Sequence, residues 1–196
     1  MRLVVGITGA TGAIYGIRVL EALKSSGVES HLVISSWGEK TIEVETSHSV
    51  EAVKALASHC HDPSDLDAPI SSGSHLTEGM IVVPCSMKTL AGIANGYSEN
   101  LIERAADVTI KEHRPLVLVV RETPLSAVHL ENMLKLARLG VTIMPPVPAF
   151  YCHPQSVDDI VNHLVGKILD RFGLRHDLFQ RWGSCEHERR EERGCV

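Results

Sequence analysis

Residues 1–17 read MRLVVGITGATGAIYGI, and this stretch decides the fold. Its apolar residues 3–8 predict a short buried strand, the small residues 9–12 predict a tight turn, and a helix is predicted from Ala13 onward. A strand, a turn and a helix in this order are typical of an α/β domain.

The turn at residues 9–12 is a candidate anion site. It leaves the first N–H groups of the helix without partners at the positive end of the helix dipole, where a phosphate would bind. The residues that would meet the anion are Thr8, Gly9, Ala10, Thr11 and Gly12. Their spacing matches neither the dinucleotide pattern G-x-G-x-x-G nor the phosphate loop G-x-x-x-x-G-K-[ST], so a bound phosphate and an empty turn both stay open.

Length and composition indicate one globular domain. The chain has 196 residues, of which 44% are hydrophobic and 22% are charged, so wholesale disorder is not expected. The formal net charge of -5 argues against a general nucleic-acid binder. No apolar run approaches the roughly 18 residues that span a bilayer, and no signal-peptide pattern is found, so we expect a cytoplasmic protein without a membrane segment.

The five cysteines are scattered and odd in number, which is typical of reduced thiols rather than of a disulfide framework. Cys60 and Cys152 each precede a histidine, but no C-x-x-C or H-x-x-x-H supports either pair. We therefore expect incidental thiols and no metal site.

A second apolar run at residues 31–34 ends at Ser35 and Ser36. A dinucleotide fold usually places an Asp or Glu there to hold the ribose, so the serines favour a mononucleotide. Alternatively, one serine only caps the helix that is predicted near Gly38. Helical stretches are then predicted within residues 38–60. Residues 61–79 read as a long polar loop, and such loops often border a ligand.

A second strand-to-helix turn follows the apolar residues 80–85. The helix after it begins at Ser86, whose simplest role is that of an N-cap. In a doubly wound sheet this turn lies beside the first, at the carboxyl ends of the strands where ligands bind. Ser86, Lys88 and Thr89 would then donate hydrogen bonds to one ligand in a cradle formed by both turns.

The second half of the chain continues the α/β alternation. A helix is predicted over residues 100–113, a strand over 116–120, a helix over 126–139 and a last short strand over 141–144. Arg121 and Glu122 directly follow a buried strand, and both are candidate site residues because sites form at strand ends.

Four prolines within residues 145–154 predict a stiff, extended segment that presents Phe150 and Tyr151. A helix follows at residues 157–168, and Lys167 borders its apolar stripe.

Residues 1–183 are predicted to form a single α/β domain, with Trp182 as the last large apolar anchor. Residues 184–196 alternate acidic and basic side chains and read as a mobile, charged tail.

Taken together, five blocks in order resemble the UbiX-like flavin prenyltransferases. The blocks are TGATG at residues 8–12, PCSMKT at 84–89, NLIERAAD at 100–107, HLENM at 129–133 and FY at 150–151. The resemblance runs from about residue 1 to Gly183, and it implies a Rossmann or flavodoxin-like doubly wound parallel sheet, assembled as a homododecamer. It further implies transfer of a dimethylallyl group from dimethylallyl monophosphate to N5 and C6 of reduced FMN. The prenylated FMN would then pass to a UbiD-like aromatic acid decarboxylase.

The resemblance also implies roles for individual residues. Those expected to contact FMN are Gly9, Ala10, Thr11, Ser35, Ser86, Met87, Lys88, Thr89 and Arg121. Those expected at the prenyl phosphate and in the chemistry are Glu45, Arg104, Lys111, Glu122, Tyr151 and Lys167. The cations and the phenol would stabilise the departing phosphate without a metal, and Trp182 would hold the allylic cation. Many relatives carry serine in place of Thr11 and arginine in place of Lys167, so donor preference is expected to differ.

Two other functions fit parts of this pattern. An FMN-dependent cysteine decarboxylase would carry a P-x-M-N-x-x-M-W segment, which this chain lacks. A non-catalytic FMN-binding subunit would need fewer cationic and phenolic side chains than the sequence offers.

Overall fold

Six parallel strands form one sheet within residues 1–146. They are β1 (Arg2–Ile7), β2 (Glu29–Ile34), β3 (His59–His61), β4 (Gly79–Cys85), β5 (Leu116–Val120) and β6 (Thr142–Ile143). Their spatial order is β3-β2-β1-β4-β5-β6, and every neighbouring pair is parallel. The chain order reverses between β1 and β4, so this pair is the switch point of a doubly wound sheet. The predicted fold class is confirmed.

This computed structural model describes residues 1–182, and the predicted tail at residues 184–196 lies outside the described residues. The chain divides into two compact units, residues 1–146 and residues 147 onward. The helices of the first unit are α1 (Ala13–Ser25), α2 (Ser36–Glu45), α3 (Val50–Lys54), α4 (Met87–Ala94), α5 (Leu101–Lys111) and α6 (Ala127–Arg138).

The central strands are apolar throughout because helices cover both faces of a parallel sheet. All residues of β4 and β5 are buried. On one side, Met80 and Val82 pack in one cluster with Leu90 of α4 and with Leu101 and Ile102 of α5. This core fixes the two strands whose ends form the cleft described below.

One prediction about the outer elements is wrong. The sequence predicts helical stretches up to residue 60 and a loop from residue 61, but residues 59–61 form the edge strand β3, which pairs with residues 31–33 of β2. Their sequence His-Cys-His carries no hydrophobic pattern, so the strand depends on its pairing with β2. On α6, Met133 and Leu136 are buried, whereas Leu130 and Leu134 are exposed.

The second unit contains the helix α7 (Val157–Asp170), whose buried side chains include Val161, Val165 and Ile168. A short 3-10 helix, Phe150–Cys152, lies within the proline-rich segment at residues 145–154. Among residues 1–182, no helix is long and apolar enough to cross a membrane.

Gly16 sets how closely α1 approaches β4. A Cβ atom at this position would lie 2.6 Å from the carbonyl oxygen of Val83 and 3.0 Å from a methyl carbon of Ile7. Because the first contact is with backbone, α1 would have to move away from the sheet. The glycine therefore holds the start of α1 next to the end of β4.

We expect Gly16→Ala to lower the free energy of unfolding by about 1–3 kcal/mol, since overpacking outweighs the gain in helix propensity of about 1 kcal/mol. Urea denaturation measures this difference. The control is Ser25→Ala in the last turn of the same helix, which should change stability by less than about 0.5 kcal/mol. Equal stability of both variants would contradict the close approach.

Candidate active site

A buried threonine joins the ends of the two switch-point strands. Thr8 follows β1, and its hydroxyl donates to the carbonyl of Pro84 at 2.8 Å. The same oxygen accepts a hydrogen bond from the amide of Ser86 at 2.8 Å. Both hydrogen-bonding functions of the hydroxyl are thus used within the framework. Thr8 lines the cleft described below, as expected, but its proton is donated to Pro84 and not to a ligand.

A cleft of about 380 Å³ opens at these strand ends. Its lining includes five residues that the sequence had predicted as FMN contacts, namely Gly9, Ser35, Ser86, Lys88 and Thr89. The lining also includes residues that sequence reasoning had not selected, among them Trp37, Asn100 and Glu103. Glu103 is buried although it belongs to an amphipathic helix, on which a glutamate is usually exposed. No pattern in the sequence marks it as a cleft residue.

Two helix N-termini reach the cleft. Ser35 caps α2 by accepting from the amide of Gly38 at 3.1 Å. Ser86 caps α4 by accepting from the amide of Thr89 at 3.3 Å, and its hydroxyl donates to Thr89 Oγ1 at 3.1 Å. The capping roles of Ser35 and Ser86 are confirmed. The positive ends of two helix dipoles and the Lys88 ammonium therefore lie at one cleft, and this arrangement favours an anionic ligand.

The start of α1 does not have the unpaired amides that the sequence predicted. Glu45, the last residue of α2, accepts hydrogen bonds from the amides of Gly12 at 2.7 Å and Ala13 at 3.2 Å. A carboxylate therefore already neutralises this helix end. The open amides for a phosphate belong to α2 and α4 instead.

The other predicted FMN contacts lie near the cleft without lining it. Ala10 is nearly buried and Thr11 is exposed in the same turn as Gly9. Met87 begins α4, and its side chain packs against the core. Arg121 is exposed, and its amide donates to the carbonyl of Cys85 at 3.1 Å, which holds the ends of β5 and β4 together.

The structure explains why position 9 is occupied by glycine, which the sequence alone did not. A Cβ atom there would lie 2.3 Å from Cβ of Trp37. The glycine therefore permits the first turn of α2 to pack against the turn after β1, and this contact helps to form the cleft.

Arg104 and Lys111 lie two turns apart on α5, and neither lines the cleft. The Arg104 guanidinium donates to the carbonyl of Ser71 at 3.0 Å and to Asp107 at 2.9 Å. Lys111 pairs with Glu112, and this ion pair lowers the pKa of the Glu112 carboxyl. Both predicted cations are exposed or half-exposed, so an incoming phosphate could displace weak surface ion pairs.

Glu122 lies at the carboxyl end of β5, beside Arg121. Its side chain is exposed and accepts a hydrogen bond from the amide of Thr123 at 3.0 Å. The structure thus gives Glu122 the position at a strand end that the sequence predicted.

The second unit brings Tyr151 and Trp182 together. The Tyr151 ring contacts Trp182 edge-on at 5.3 Å between centroids, and its hydroxyl is 3.0 Å from Nε2 of His163 on α7. Partial burial raises the pKa of Tyr151. Burial and the nearby Lys167 ammonium, one turn along α7, lower the pKa of His163. The 3.0 Å contact orients the phenol against the imidazole. Sequence reasoning had not selected His163, although it lies four residues before Lys167 on the same helix.

A doubly wound sheet with an anion-favouring cleft at its switch point is the architecture of a nucleotide-binding protein. Residues 1–169 match the flavoprotein family. The chain is 61% identical over 185 residues to a probable UbiX-like flavin prenyltransferase of Streptomyces sp. (strain D7), covering 94% of this chain and 92% of the relative. It is 58% identical over 181 residues to the mitochondrial flavin prenyltransferase PAD1 of Saccharomyces cerevisiae, covering 92% and 75%. The chain therefore belongs to the UbiX-like flavin prenyltransferases, a branch of the flavoprotein family.

Solved structures agree with this assignment. A dodecameric FMN-dependent UbiX-like decarboxylase from Escherichia coli O157:H7 has a TM-score of 0.91 and 59% identity, over 93% of this chain and 99% of that one. AnUbiX (PadA1) in complex with FMN and dimethylallyl pyrophosphate has a TM-score of 0.92 and 54% identity, over 93% and 97%. The peptidyl-cysteine decarboxylase EpiD has a TM-score of 0.58 at 18% identity, over 76% and 82%, and this likeness shows the fold alone.

We expect Thr8→Val to lower the free energy of unfolding by about 2–3 kcal/mol, because the amide of Ser86 and the carbonyl of Pro84 both lose a buried partner. Chemical denaturation measures the change.

Thr41→Val is the matched control, since its hydroxyl donates only to the carbonyl of Trp37 within α2 at 2.7 Å. We expect less than about 0.5 kcal/mol for this variant. A Thr8 variant as stable as the control would show that the strand ends do not depend on the hydroxyl.

Proposed function

We propose that this protein transfers the dimethylallyl group of dimethylallyl monophosphate to N5 and then C6 of reduced FMN. The observation that carries the proposal is the cleft at the β1–β4 switch point, where the N-termini of α2 and α4 and the Lys88 ammonium favour one phosphate. The phosphate of FMN would bind in this cleft. The reaction is inferred from membership in the UbiX-like flavin prenyltransferases.

For the flavin, we assign the phosphate to the amides and hydroxyls at the starts of α2 and α4. The residues proposed to contact FMN as a whole are Gly9, Ala10, Thr11, Ser35, Ser86, Met87, Lys88, Thr89 and Arg121. Ser35 keeps its cap, since a capping hydroxyl uses one lone pair and can still meet an anion through its proton. The Ser86 hydroxyl would have to turn its proton from Thr89 Oγ1 to the anion, while its lone pair keeps the cap. Reduced FMN supplies the two nucleophilic atoms.

For the prenyl donor, the proposed residues stabilise a departing phosphate. The allylic C–O bond breaks, negative charge develops on the phosphate oxygen, and cations with a phenolic donor stabilise that charge. We assign this role to Arg104, Lys111, Tyr151 and Lys167. Trp182 offers an aromatic face to the allylic cation.

Two carboxylates are proposed to act in the reaction, Glu122 as a proton acceptor and Glu45 as a fixed negative charge. The N5–C bond forms as phosphate leaves, and the N5 proton goes with the phosphate. Ring closure then adds one proton to the prenyl double bond and removes one from C6, and Glu122 is proposed to accept the proton from C6. Glu45, held by the amides of Gly12 and Ala13, places a fixed negative charge beside the turn after β1. That charge stabilises developing positive charge on the prenyl group.

The remaining assignments concern assembly, the recipient of the product, location and domain bounds. We propose a homododecamer, as in the dodecameric Escherichia coli O157:H7 relative. We further propose a UbiD-like decarboxylase as the recipient of the prenylated flavin, and the cytoplasm as the place of action. Residues 1–183 are proposed as the flavin-binding domain.

The reaction is tested by anaerobic incubation of the purified protein with reduced FMN and dimethylallyl monophosphate, followed by mass spectrometry of the released flavin. We expect a flavin heavier by one isoprene unit. A parallel incubation with dimethylallyl pyrophosphate, the ligand in the AnUbiX complex, determines donor preference. Bound but unmodified FMN with both donors would leave a non-catalytic flavin-binding subunit.

We expect Tyr151→Phe to reduce the rate of adduct formation by roughly a hundredfold with FMN affinity unchanged, because one donor to the departing phosphate is lost. Rapid-quench assays and FMN titration measure the two quantities. An unchanged rate would remove Tyr151 from the chemistry.

We expect Lys88→Gln to weaken FMN binding by about tenfold or more, since a charge-assisted contact to phosphate contributes about 1.5–3 kcal/mol. Lys135→Gln on the exposed side of α6 is the matched control and should leave FMN affinity unchanged. Equal affinities of the two variants would place the phosphate elsewhere.

A further inference from the structure

A group of histidines and one glutamate lies on one face of the sheet at the β2–β3 edge. Parallel pairing sets His31 opposite His59. Residues two apart on a strand point to the same face, so Glu29 joins His31, and His61 joins His59. The strand period thus collects four polar side chains on one face.

The ligand atoms of three of these residues are close together. Nε2 of His31 lies 3.2 Å from Oε1 of Glu29, and Nε2 of His59 lies 3.3 Å from the same oxygen. All three atoms lie within 4.8 Å of one another. Two ligands bound tetrahedrally at 2.0–2.1 Å from one metal ion are about 3.3 Å apart, so both measured separations fit such a centre.

Two further histidines, His61 and His75, contact His31. The other ring nitrogen of His31, Nδ1, lies 2.9 Å from Nε2 of His61. Metal-binding histidines usually have such a partner on their second nitrogen, which fixes the tautomer and the ring orientation. His75 packs edge-on against His31 at 5.1 Å, and its buried Nε2 has no hydrogen-bond partner among the described residues.

One cation opposes metal binding here. Nε of Arg2 lies 3.0 Å from Oε1 of Glu29, and its Nη1 donates to the carbonyl of Leu76 at 2.9 Å. A bound metal ion would share the carboxylate with the guanidinium, which is possible because a carboxylate has two oxygens and several lone pairs. The arrangement predicts moderate rather than very tight affinity.

We propose that Glu29, His31 and His59 bind one divalent cation of the zinc class, with water at the fourth position. Imidazole nitrogens with one carboxylate suit zinc better than magnesium or calcium, which prefer oxygen ligands alone. The ion would link the three-residue edge strand β3 to β2.

The proposed metal site is distinct from the flavin cleft. His31 precedes Ser35 by four residues along β2, which corresponds to about 13 Å of extended strand. The cleft lies beyond the carboxyl end of β2, whereas Glu29 begins that strand. The metal therefore has no part in the proposed prenyl transfer, and the two proposals can be tested independently.

The test is a titration of the chelator-treated, full-length protein with Zn²⁺ in competition with a chromophoric chelator, with Co²⁺ as a spectroscopic probe. We expect one Zn²⁺ per chain, thermal stability that rises with Zn²⁺ concentration, and visible Co²⁺ absorption typical of a four-coordinate site. A thiolate-to-cobalt charge-transfer band would instead identify cysteine ligands and overturn the proposal.

Variants locate the ion. His59→Gln, at a half-exposed position that tolerates change, should weaken Zn²⁺ binding by about tenfold or more, and His61→Gln by about 10–100-fold through its effect on His31. His48→Gln is the matched control and should bind like the unaltered protein, and circular dichroism checks that each variant folds. Absence of Zn²⁺ binding in the unaltered protein, unchanged binding in His59→Gln, or loss of binding in Cys60→Ser would each overturn the assignment.

Discussion

The structure depends on one buried hydroxyl at the switch point of the sheet. Thr8 accepts from the amide of Ser86 and donates to the carbonyl of Pro84, so the chain leaves β1 and β4 in a fixed relation. With Gly9 against Trp37 and Gly16 against the Val83 carbonyl, this bond sets where α1, α2 and α4 begin. The cleft lies between the turn after β1 and the starts of α2, α4 and α5.

Much of the architecture could be predicted because its signals are local. β1, β4 and β5 are unbroken apolar runs, and the serine caps at the starts of α2 and α4 are short-range patterns. The edge strand β3 could not be predicted, since the three residues His-Cys-His are too few to show a hydrophobic period and form a strand by pairing with β2. The structure of an edge element is therefore determined by its neighbour.

Part of the site could be predicted because its signals are also local. Ser35, Ser86 and Lys88 follow strand ends, so topology alone brings them together. The contact from Glu45 to Gly12 spans 33 residues and depends on how α2 packs, which no local pattern encodes. Likewise, the buried Glu103 reads as a surface residue of an amphipathic helix until α4 is placed beside it.

The Glu45 contact has a consequence for how an elongated ligand enters. An anionic end that approaches the turn after β1 meets a carboxylate, whereas the same end meets amides and an ammonium at α2 and α4. The two charges of opposite sign thus lie at different turns of the same sheet edge. An anionic group is attracted to the starts of α2 and α4 and repelled from the turn after β1.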